Sequence, residues 1–163
     1  MQITKTQYIW ASLRIGLGLI FLWAFLDKLF GLGFATSSDK SWLNGTSPTA
    51  GFLEHGTSGP FAGIFQSIAG SPIADWLFML GLGLGGLALI LGIAVKLASY
   101  ELSLIMFLIW LCALPPEHHP FLDEHIIYIL VLIGLTTVPS GNWIGFGKWR
   151  SETDLVKRYT VLK

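Results

Sequence analysis

The residues best equipped for chemistry lie in one run, Pro115 to Tyr128, which holds three of the four histidines and the acids Glu117, Asp123 and Glu124. His125 and Tyr128 stand at i and i+3, so a helix puts them on one face. An imidazole and a phenol side by side can pass a proton or hold the oxygens of a quinone head group. Asp27, at the far end of the first apolar run, would share their depth and complete such a site. Two plainer readings compete. Asp123 and Glu124 suit the first turn of a helix, where the dipole favours negative charge, so the run also reads as an ordinary capped helix start. A metal reading would use His118, His119, Asp123 and His125, but that spacing matches no standard zinc pattern, and no metal is expected. Haem needs axial ligands at matched depth in a bundle. His125 is the sole histidine inside an apolar run, so no haem is expected either.

Other motifs lose to packing. Gly81-Leu82-Gly83-Leu84-Gly85-Gly86 spells the dinucleotide-binding pattern, with Glu101 twenty residues beyond Gly81. That pattern works only between a strand and a free helix N-terminus, and these glycines lie inside an apolar run. Gly81, Gly85, Ala88 and Gly92 instead form a small-residue stripe of the kind that lets membrane helices approach closely. The single cysteine, Cys112, excludes an internal disulfide and any CxxC or multi-thiolate site. Asn44-Gly45-Thr46 fits a glycosylation sequon, relevant only in a secretory pathway.

The elements that must carry these residues are membrane helices. Hydrophobic residues make up 53% of the 163-residue chain and charged ones 12%, too few charges to solvate a globular surface. A balanced formal charge gives no reason to expect nucleic acid as a partner. Four apolar windows qualify as spans of a hydrocarbon core of about 30 Å: about 10–34, 73–95, 97–114 and 121–138. The sequence therefore predicts an all-α, integral membrane four-helix bundle forming one domain over 1–163. A long, partly ordered outer loop fills 35–72, and a cytoplasmic tail fills 139–163. Trp42, Phe52, Phe61 and Phe65 argue that the loop is a cap rather than a flexible linker. The first window carries no convincing signal-cleavage site before Asp27.

Lys and Arg counting sets the orientation. With both termini in the cytoplasm, Lys5, Arg14, Lys96, Lys148, Arg150, Lys157, Arg158 and Lys163 are inside, and only Lys28 and Lys40 are outside. Acids gather on the opposite side, so the outer face is net negative. Charges inside the windows are costly. Arg14 and Glu101, at similar depth, either pair or stay separate, Arg14 snorkelling and Glu101 at the interface. Of Asp27 and Lys28, which point about 100° apart on a helix, Asp27 is expected to face the bundle.

Taken together, the chain resembles the DoxX/DoxD-like family of small four-helix membrane proteins over nearly its whole length. The resemblance rests on Arg14 with Phe21 to Gly31, on Trp42 to Gly45 and Ser47 to Leu53, on Asp75 to Met79, on Pro120 to Tyr128, and on Gly145 to Trp149. It implies a multi-pass cell-membrane protein. One branch of the family is the membrane subunit of thiosulfate:quinone oxidoreductase. The resemblance assigns no residue roles; chemistry alone suggests Asp27, His125 and Tyr128 as the catalytic set, with Trp23, Trp76 and Trp110 as the aromatic walls of a quinone pocket. A net negative outer face repels a dianion such as thiosulfate, so a second subunit or soluble redox protein would have to handle the sulfur compound. Two further readings stay open: a non-catalytic membrane adaptor or assembly factor of a redox complex, and a small lipophile carrier. Homo-oligomerisation is compatible with all three. Orientation has a direct check. A cysteine placed in the Thr36–Ser58 loop should react with an impermeant maleimide on intact cells, and one near Arg158 should react only after lysis. The reverse pattern would invert the topology.

Overall fold

The computed structural model describes residues 3–151, and every regular element among them is helical. The tail charges Glu152, Asp154, Lys157, Arg158 and Lys163 lie outside the described residues, as does nearly half of the expected tail. Helix α1 (Lys5–Phe30) starts in a capping box: Thr4 and Gln7 exchange side-chain and backbone hydrogen bonds. It ends at Gly31, which adopts φ +66° and returns its N–H to the Asp27 carbonyl at 2.8 Å. A Cβ there would collide with the backbone of Ser37 and Ser38, so the helix stops four residues before the expected boundary.

The stretch that follows is the expected cap. It contains 3-10 turns at Ser38–Lys40, Trp42–Asn44 and Gly59–Phe61, and two short helices, α2 (Ala50–His55) and α3 (Ala62–Gln66). Asp75 anchors the cap by accepting hydrogen bonds from Ser47 Oγ (2.8 Å) and Thr49 Oγ1 (2.5 Å). Trp42 meets Trp76 edge to face, centroids 4.7 Å apart. At the far side of the cap the Ser58 N–H donates to the Cys112 carbonyl.

Helix α4 (Pro72–Leu91) opens with Pro72 in its first turn, where the missing N–H costs nothing. Its glycine-rich middle, Gly81–Gly85, winds as a π-helical turn, with α-helical geometry on both sides. Gly92 and Ala94, both left-handed, make the tight turn into α5 (Val95–Cys112). Helix α6 (Glu124–Thr137) starts at the Asp123 N-cap and stops before Val138-Pro139, since the residue ahead of a proline disfavours helical backbone. A last short helix, α7, covers Gly147–Ser151.

Three helices, α1, α4 and α5, are long and apolar enough to cross a membrane, and this is a membrane protein. At 1.5 Å per residue they measure about 39, 30 and 27 Å. The fourth expected span falls short: α6 has 14 residues, about 21 Å, because Asp123 and Pro139 bracket it more tightly than the apolar window suggested. Helix α4 lies between α1 and α5, and α6 packs along α5 and touches α1. Leu17, Phe21, Leu82, Leu89, Leu102, Leu132 and Leu135 fill the shared core. Outward faces of the helices are apolar and open, with Leu19, Ile127 and Leu130 more than half exposed, as lipid contact requires.

Helices α1 and α4 approach closely at a glycine pair, Gly18 and Gly86, that the small-residue stripe did not include. A Cβ on Gly18 would come within 2.9 Å of the Gly86 carbonyl oxygen, and one on Gly86 within 2.7 Å of Leu22 N. Both neighbours are backbone and cannot step aside. Gly86→Ala should therefore separate α1 from α4 and destabilise the detergent-solubilised protein by about 1–3 kcal/mol, read as a lower unfolding midpoint. An unchanged midpoint would mean that this contact is looser than the distances imply.

Candidate functional site

Most polar side chains within or beside the spans are occupied by helix ends. Arg14, fully buried on α1, donates through Nη1 to the carbonyls of Leu89 and Ile90 and through Nη2 to that of Ile144. Two of these belong to the last turn of α4, where carbonyls lack intrahelical donors and the dipole is negative. The expected alternatives for Arg14 are both replaced: it neither pairs with Glu101 nor snorkels, because the carbonyls supply its partners. The Phe146 N–H adds a bond to the Leu91 carbonyl, at 2.8 Å. Arg14 thus joins α1, the end of α4 and the segment before α7.

Asp27 is buried, 2% exposed, as expected of the residue facing inward. Its two carboxylate oxygens accept the N–H groups of Phe34 (3.2 Å) and Ala35 (3.0 Å). Asp123 accepts the N–H groups of His125 and Ile126, and its second oxygen lies 2.8 Å from His125 Nδ1. Tyr128 meets Phe21 edge to face at 6.3 Å. No hydrogen bond among the described residues joins Asp27 to His125 or Tyr128. His119 Nδ1 accepts the N–H groups of Phe121 and Leu122, which makes His119 a turn-forming residue. The carboxylates and imidazole of Asp123, Glu124 and His125 come within 4.8 Å of one another. Capping the first turn of α6 already explains that cluster.

The three tryptophans expected to wall a pocket are dispersed. Trp23 packs on Phe34, Trp76 on Trp42, and Trp110 stacks on Phe107 while donating Nε1–H to the Phe121 carbonyl. None of them lines the large cavity between α4 and α5.

That cavity is a lateral groove of about 1070 Å³ between α4 and α5, roofed by the cap. The half of α4 from Gly81 onward packs on α5, whereas its Pro72–Leu80 half makes few contacts there, and the gap is the groove. Its walls are apolar: Leu77, Leu84, Ala88, Leu97, Leu104 and Ile105 among others. Lys28, Thr49 and Ser71 line it on the side of the cap. Glu101 is the exception along the walls. It lies half-buried on α5, and no hydrogen bond or ion pair reaches it among the described residues. Its carboxyl rests against the π-turn. A Cβ on Gly81 would overlap Oε1, and one on Gly85 would come within 2.7 Å of Oε2. Gly81 and Gly85 sit near the middle of Pro72–Leu91, so the carboxyl reaches mid-span rather than the interface.

Sequence reasoning missed this groove. The signal was present: Leu97, Glu101, Leu104 and Leu108 recur at helical spacing on one face of α5, opposite a glycine pair four residues apart. No family model, curated protein or solved structure matches the chain.

Arg14 supplies the prediction here. Arg14→Leu leaves buried carbonyls at the end of α4 and at Ile144 without a donor, and each such group costs about 1–3 kcal/mol. The variant should insert but unfold at a markedly lower temperature in detergent. A midpoint equal to that of the wild type would show that Arg14 carries no structural load.

Proposed function

We propose that this protein is the membrane-embedded subunit of a quinone-linked oxidoreductase, of the thiosulfate:quinone type suggested by the sequence resemblance, and that the groove between α4 and α5 seats the quinone. The groove carries this reading. Ligand sites are concave, mostly apolar, and hold a few polar groups that fix orientation. Here apolar walls extend along two membrane helices and meet a single carboxyl at mid-span. A ring with hydrogen-bonding oxygens and an isoprenoid tail has that pattern of polarity. The groove fits better than the set Asp27, His125 and Tyr128, because both Asp27 oxygens are already engaged by the loop backbone. Electrons would come from a partner subunit or soluble redox protein docked on the cap side. In this reading α6 completes a four-pass topology, with the termini in the cytoplasm and the cap outside.

The adaptor reading has an observation of its own. Phe34, Leu43 and Ile64 are each well over half exposed on the cap side, an apolar surface suited to a protein partner. Solvent extraction of the purified protein separates the two. Quinone recovered near one per chain, above a control membrane protein handled identically, is the expected result. Quinone at the control level, with a redox protein co-purifying, would favour the adaptor and remove the quinone assignment.

A further inference from the structure

We infer that the Glu101 carboxyl is a ligand-binding residue: it anchors the oxygen-bearing ring of a quinone or quinol lodged in the groove, the tail leaving through the apolar walls. This rests on the quinone reading above and assigns that site its polar contact.

Three observations meet at this residue. First, a carboxyl within a span costs about 2.5–3.5 kcal/mol on insertion scales, and the other carboxylates withdrawn from solvent among the described residues, Asp27, Asp75 and Asp123, are all engaged. Arg14 serves carbonyls, Asp27 and Asp123 serve N–H groups, and Asp75 holds two hydroxyls. Glu101 alone has no protein partner among them. Second, the helix opposite has been cleared for it. Gly81 and Gly85 leave space where any side chain would strike the carboxyl oxygens, and the turn between them is π-helical. Such turns inside α-helices recur at functional sites; the same two glycines also admit Ile105 and Leu102 of α5 at close range. Third, polarity along the groove is graded. Its other polar lining residues, Lys28, Thr49 and Ser71, belong to the end of α1, the cap and the start of α4. Leu84, Ala88, Leu97 and Leu104 surround Glu101 with hydrocarbon, so a ligand has one place at mid-span to make a hydrogen bond.

The chemistry of the carboxyl suits this occupant. Ionised, it accepts from a quinol hydroxyl; protonated, it donates to a quinone carbonyl. One side chain can therefore hold either oxidation state.

The test uses the full-length protein in phosphatidylcholine nanodiscs, with a short-chain ubiquinone analogue as the probe in its oxidised and dithionite-reduced forms. Binding is measured by equilibrium dialysis against empty nanodiscs. Glu101→Ala should weaken binding of both forms by about tenfold or more. Glu101→Gln, whose amide both donates and accepts, should restore most of it. Leu104→Trp, which fills the groove without touching the carboxyl's chemistry, should abolish binding. Unliganded Glu101→Ala should also unfold about 2–4 °C above wild type or higher, because an unpartnered carboxyl has been removed. A structural role predicts the opposite shift. If Leu104→Trp blocks binding while Glu101→Ala binds like wild type, the groove stands and the anchor falls. Binding that survives Leu104→Trp removes the groove as the seat. A lipophilic amine that binds where the quinone analogue does not would overturn the choice of occupant.

Discussion

The structure depends on one constraint: in hydrocarbon, a backbone N–H or C=O without a partner has no water to turn to. Helix interiors meet this automatically, and helix ends do not. Arg14 answers it for the end of α4, Asp27 for the chain leaving α1, and Asp123 for the start of α6. Asp75 extends the same logic to the cap, whose Ser47 and Thr49 hydroxyls it holds. Charged side chains that look like reaction machinery in the sequence are, for the most part, the fittings that close the ends of helices.

That explains which features could be read from the sequence. The membrane setting, the cap over 35–72 and the inward side of Asp27 all follow from apolar length, helix stops and aromatic content. These are local signals. The turn between α4 and α5, in contrast, falls at Gly92–Ala94, ahead of the boundary between the windows 73–95 and 97–114. The partners of Arg14 are not local, since Leu89 and Ile144 lie 75 and 130 residues away. Nothing in sequence spacing distinguishes an arginine that pairs with Glu101 from one that caps a distant helix. The length of α6 was misjudged for a different reason. Apolar content marks where a helix can lie in lipid, whereas Asp123 and Pro139 decide where it begins and ends. The small-residue stripe was right in part, since Gly81 and Gly85 share a face and lie close against α5, but it left out Gly86. Gly86 faces α1, and Gly81 and Gly85 face Glu101.

Glu101 stands apart from Asp27, Asp75 and Asp123, the other carboxylates withdrawn from solvent among the described residues, because each of those is hydrogen-bonded within the protein. Natural sequences depart from local consistency mainly at functional positions. A carboxyl that no described residue satisfies, in a space two glycines leave open, lowers the stability of the empty molecule. Its retention is intelligible when a guest supplies the missing hydrogen bond.

The arginine clamp has a consequence for biosynthesis. Ile144 is made 130 residues after Arg14, and chains elongate at about 5–20 residues per second. For roughly ten seconds the nascent first helix therefore carries a cation whose final acceptor has not yet been synthesised. During that interval the guanidinium must be sheltered by lipid phosphates or by the insertion machinery. Closure of the clamp must therefore await synthesis of the segment before α7.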